Sequence, residues 1–93
     1  MREPIRVFGM PASPPPGGRP ALVVGAERYL DQWVPDRDDP RRLPLGDVAQ
    51  ALDAIDACPG PVWVLASGDP GFFGIVRRLA ERFGPDALEV QPA

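Results

Sequence analysis

Apolar residues fall along the chain in four short runs and two spaced stripes. Ile5–Met10 (IRVFGM) is short, rich in strand formers and stopped by Pro11. Ala21–Gly25 (ALVVG) and Val62–Ser67 (VWVLAS) are nearly unbroken rather than alternating. That pattern suits strands covered on both faces, as in parallel sheets. Ala87–Pro92 (ALEVQP) alternates weakly and predicts a last strand. The stripes predict helices. In LGDVAQALDAIDACPG, Val48, Leu52 and Ile55 lie four and three apart and share one face, with Asp47 as N-cap and Pro59–Gly60 as the stop. From Pro70 or Gly71 to Phe83, the residues Ile75, Leu79 and Phe83 form a second stripe, closed by Gly84. Ala26–Val34 has room for one or two helical turns before Pro35.

Prolines punctuate this pattern. Fourteen are present, clustered in Pro11–Pro20 (PASPPPGGRP) and in VPDRDDPRRLPLG, so they mark connections rather than elements. DRDDPRR reads as a solvated charged loop, and Gln50, Asp53 and Asp56 as a solvated helix face. Strands alternating with helices across short connections predict an α/β fold. The expected form is a single small three-layer domain, residues 1–93, with a mostly parallel sheet of four or five strands and right-handed crossovers. A chain of 93 residues supports one modest core.

Composition narrows the function. The formal charge is −3, and the ten basic residues, all arginines, are spread along the chain. No basic stripe forms, so nucleic acid is not expected as a partner. One cysteine excludes an intrachain disulfide and a cysteine zinc site, and the absence of histidine excludes triads and histidine metal sites within the chain. No metal is expected. No apolar run approaches the ~20 residues of a membrane span, and MREPIRVFGM lacks the apolar centre of a signal peptide. The expectation is a cytoplasmic protein without a membrane partner. Trp33 and Trp63 are expected to pack in the core or an interface, and Cys58 to behave as a small buried hydrophobe. Arg77 and Arg78 are expected to flank the buried stripe of the last helix.

The candidate chemistry lies in Ala66–Gly74 (ASGDPGFFG), between a strand and a helix. Open α/β sheets bind ligands beyond the carboxyl ends of their strands. Asp69 suits an N-cap and Pro70 the first helical turn. Gly68 and Gly71 let the backbone approach a guest closely. The loop has no lysine and carries a carboxylate, so it is not a phosphate cradle. It suits a neutral or cationic ligand bearing hydroxyls and amines. Plain helix capping is the alternative.

Several segments in order resemble the tetrapyrrole methylases, and most nearly the N-terminal, C5-methylating part of precorrin-6Y C5,15-methyltransferases. They are IRVFGM; VVGAERYL, where the family has a pattern like VVGGxRHL; VLASGDPGFFGI, where it has VLxSGDPxFYGI; and LEVQPA. The SGDPxF element is the most specific, and the likeness spans about two thirds of the chain. The resemblance implies one α/β lobe of a two-lobed enzyme that holds S-adenosylmethionine in the cleft between lobes. It implies C-methylation of a precorrin or cobalt-precorrin ring in cobalamin synthesis. Ser67, Gly68 and Asp69 would contact the cofactor, with Phe72 beside them, and Gly9 would match the glycine ending the family's first strand. No catalytic acid or base carries over. The chain departs from the family in two places. PASPPPGGRP stands where the family has a glycine-rich turn and a helix, and Tyr29 stands where it has a histidine. The second lobe would lie beyond Ala93, so the chain is expected to be a partial or subunit form, inactive alone, completed by a second-lobe chain or associating as a homodimer. The alternative is a non-catalytic binding or interaction module derived from such a lobe. A third reading is a small α/β scaffold that associates through an uncovered sheet face.

Overall fold

The computed structural model describes residues 4–10, 13–67 and 71–91, and the side chains of all of these except 67 and 71–73. The four apolar runs form strands and the stripes form helices. In order these are β1 (Ile5–Met10), β2 (Leu22–Gly25), α1 (Glu27–Trp33), β3 (Arg42–Pro44), α2 (Val48–Ala57), β4 (Val62–Ser67), α3 (Gly71–Phe83) and β5 (Leu88–Gln91). A 3-10 turn at Pro85–Ala87 precedes β5, so the last strand starts one residue later than its weak alternation predicts. Asp47 caps α2 as expected, its carboxylate accepting from the amides of Ala49 (2.8 Å) and Gln50 (3.4 Å).

The sheet has five strands, ordered β3-β2-β4-β1-β5, and every neighbouring pair is parallel. The fold is therefore α/β with a fully parallel sheet. Near-continuous apolar strands suit it, because alternate residues feed two separate cores. Ile5, Val7, Val24, Val62, Val64 and Ala66 face α2 and α3, packing with Ala51, Leu52, Ile55, Ile75 and Leu79. Phe8, Met10, Val23, Trp63 and Leu65 face α1, packing with Leu30 and Val34.

Strand β3 is a correction to the charged-loop expectation for DRDDPRR. Arg42 begins a strand that pairs with Val23, and its side chain is only 3% exposed. Nη1 donates to the Val34 carbonyl at 2.7 Å and Nη2 pairs with Asp31 at 2.9 Å. One arginine thus satisfies a carbonyl at the C-terminal end of α1, where positive charge is favoured. Arg41, beside it, stays on the surface in a forked pair with Asp39.

The connection from β1 to β2 contains no helix among its described residues. It is the proline-rich segment, and it lies over Trp63. Gly18 sits so close that a Cβ there would run into the indole ring. Beneath it Phe8, Trp33 and Trp63 form an aromatic group with centroids 5.0, 5.3 and 5.6 Å apart. Both tryptophans are therefore packing residues, as their expected role requires. Cys58 is only half-buried, at the C-terminal end of α2, which corrects its expected burial.

Candidate functional site

A parallel sheet brings all strand exits to one edge, here Met10, Gly25, Pro44, Ser67 and Gln91. The routes of the connections locate the special point on that edge. From β1 the chain runs past β4 to β2 over the α1 face. From β4 it runs through α3 past β1 to β5, over the opposite face. Adjacent strands whose connections leave in opposite directions on opposite faces define a topological switch point, and the crevice outside it is where open α/β sheets bind ligands.

The register across this point places two of the sequence-predicted residues. Gly9 pairs with Ala66 and Met10 with Ser67. Gly9 is buried near the end of β1, and Ser67 is the last residue of β4. Phe72 lies in the first turn of α3. Gly68 and Asp69, together with the expected capping by Asp69, lie outside the described residues.

Beside the switch point the edge opens into a cavity of about 170 Å³. Leu65 and Ala66 from the end of β4, Leu45 after β3 and Ile75 from α3 give it apolar walls. Ala26, Arg28 and Tyr29 close it from the start of α1. Gly25 keeps β2 tight against β4 here, since a Cβ would lie 2.9 Å from the Leu65 Cβ and 3.0 Å from its carbonyl oxygen. The Leu45 amide donates to the Gly25 carbonyl at 2.8 Å, which pins the loop that carries Leu45. Tyr29 both packs against the aromatic layer and lines the cavity, and its hydroxyl accepts from Arg28 Nη2 at 3.1 Å. A wider cavity of about 590 Å³ shares Leu45 and Ile75 and continues along α3 past Arg77 and Arg78. Arg28 and Leu45 escape sequence reasoning because nothing local marks them. Their only signal is position, just after strands that the fold turns out to align.

The described residues fit S-adenosylmethionine in part. The walls suit its apolar portion, and the Arg28 guanidinium suits its carboxylate. A volume of about 170 Å³ is below the roughly 300 to 1,000 Å³ of sites that enclose a drug-sized ligand, so these residues alone do not enclose one. Among the described residues no group of three acidic or cysteine side chains stands where it could hold a metal ion. No helix among them is long and apolar enough to cross a membrane.

No family model matches the chain, and neither a curated protein nor a solved structure matches it.

Proposed function

We propose that the C-terminal edge of the sheet, at the β1–β4 switch point, binds S-adenosylmethionine, and that the chain is the N-terminal lobe of a methylase acting on a precorrin-type tetrapyrrole. The supporting observation is the register that sets Gly9 of IRVFGM and Ser67 of the SGDP element, far apart in sequence, on neighbouring strands at the position where this architecture receives ligands. When bound, the cofactor supplies an electrophilic methyl group for attack by a nucleophilic ring carbon. The work of this chain is positional. Backbone at the end of β4 would orient the ligand, Arg28 would receive its carboxylate, and Leu45, Leu65 and Ile75 would exclude water from one side; the resemblance adds the Asp69 carboxylate as a further contact. A second lobe, as a complementing chain or another copy in a homodimer, supplies the remaining wall and the tetrapyrrole cleft.

A non-catalytic module is the second reading. The connection after β1, with no helix among its described residues, and the small cavity favour it, because both leave the ligand less enclosed.

Calorimetric titration with S-adenosylhomocysteine tests the proposal. Expected is a saturable heat, with the second lobe supplied in trans where the chain alone gives none. Asp69→Ala should abolish it while the melting temperature stays unchanged. Unaltered affinity with a loss of ~1 kcal/mol of stability assigns Asp69 to capping alone and overturns its role as a cofactor contact. Silence in both titrations overturns the site.

A further inference from the structure

The opposite, N-terminal end of the sheet carries a second site. A cavity of about 200 Å³ opens there, lined by Pro4 and Arg6 of the first segment, Arg19 of the proline-rich connection, Pro61 and Trp63 at the start of β4, and Glu89 of β5. Arg6 is the unusual member. It sits on a central strand, facing the aromatic layer, with its guanidinium carbon 5.2 Å from the Phe8 ring centroid. Its Nε is sealed from water and has no hydrogen-bond acceptor. A buried polar N–H without a partner costs roughly 1–3 kcal/mol, and more on a charged group, so its retention calls for an explanation.

Pairing among the described residues does not supply one. Glu89 is in register with Arg6 on the neighbouring strand, yet among the described residues neither Arg6 nor Arg19 enters an ion pair. Arg37, Arg41, Arg42, Arg77 and Arg82 all do. Among the described lining residues, two guanidinium groups and one carboxylate give one net positive charge. That balance suits a monoanion better than a phosphate, which carries about −1.5 to −2 near neutral pH. A guanidinium presents a planar donor fork that matches a carboxylate. The indole of Trp63 and the two prolines offer flat apolar surface to the rest of the molecule.

We propose that this cavity binds a small organic monocarboxylate, its carboxylate taken by Arg6 and Arg19 and its apolar body laid against Trp63. Arg6 turns its Nε edge toward the ligand and so gains the acceptor it lacks. The site is independent of the methyl-donor reading, since it lies at the other end of every strand.

Side-chain ¹H–¹⁵N spectra of the arginine Nε–H groups provide the test. Benzoate is the probe, with phosphate and chloride added separately at matched ionic strength. Expected is a saturable shift of the Arg6 Nε–H with benzoate and no saturable shift with the other two. Arg19→Gln changes an exposed residue and should weaken benzoate binding about tenfold, with the circular dichroism spectrum unchanged. Arg6→Lys keeps the charge but removes the fork, and should weaken binding further. The absence of a saturable benzoate shift, an equal response to phosphate or chloride, or full affinity in Arg19→Gln would each overturn the proposal.

Discussion

Asp39 shows how much one side chain in a surface turn can be biased by its neighbour. The Arg41 side chain donates to its carboxylate from Nε and Nη2, and the Arg41 amide donates as well, together holding the Asp39 pKa down from 3.8 to about 2. A carboxyl depressed in the folded state contributes stability above its unfolded pKa and loses that contribution as pH falls through the folded value. The Asp39 contribution is therefore complete above about pH 4 and disappears toward pH 2. Carboxyl NMR should give a midpoint near pH 2 for Asp39, and Arg41→Gln should return it toward the ordinary aspartate range. Gly25 makes the matching case for shape. Gly25→Ala forces a methyl group against the Leu65 backbone, and overpacking of this kind costs about 1–3 kcal/mol. Thermal melting of that variant should show the loss, along with a changed environment for Tyr29 at the adjoining cavity. Neither effect is visible in the residue types alone. DRDDPRR looks like solvated charge until the chain folds Arg42 inward and leaves Arg41 outside.

Among the elements, the strands with strong apolar runs and the helices with regular stripes were legible, because their periodicity is local. Asp47 was legible for the same reason, since an N-cap acts on amides two and three residues away. Asp47→Ala should cost ~1 kcal/mol of stability, read as a lower denaturation midpoint with an unchanged slope. Strand β3 was not legible. It has three residues, one of them proline, and no apolar run, and it exists because the exposed side of β2 offers it a ladder. The aspartates of α2 were partly legible. Asp53 and Asp56 are exposed, as a solvated face should be, but Arg82 of α3 reaches both, at 2.8 and 3.4 Å. That contact between two helices leaves no mark on either stripe.

For the whole molecule, the sequence supports the layers but not their order. Alternating elements imply a parallel sheet covered on both sides. They do not say that β1 lies between β4 and β5, and the location of the switch point depends on that order. The connections obey a single hand. Those running from β1 to β2 and from β2 to β3 travel one way on the α1 face, and those running from β3 to β4 and from β4 to β5 travel the other way on the α2–α3 face. This is the regularity expected of parallel crossovers. Of the candidate site, Gly9 and Ser67 could be named in advance. Arg28, Leu45 and the cavity they share could not, because the cavity exists only once β2, β3 and β4 lie side by side.

The strand order also bears on how the protein comes into being. Ile5 has its neighbours at Val62 and Leu88, so during synthesis β1 has no ladder partner until β4 follows. Until then the nascent chain can build only the β2–β3 ladder with α1 beside it. The centre of the sheet can assemble only after β4 has emerged, and the apolar β1 must meanwhile stay unpaired without sticking to its neighbours. The prolines that follow it, unable to donate to any ladder, help keep that waiting strand from pairing in the wrong place.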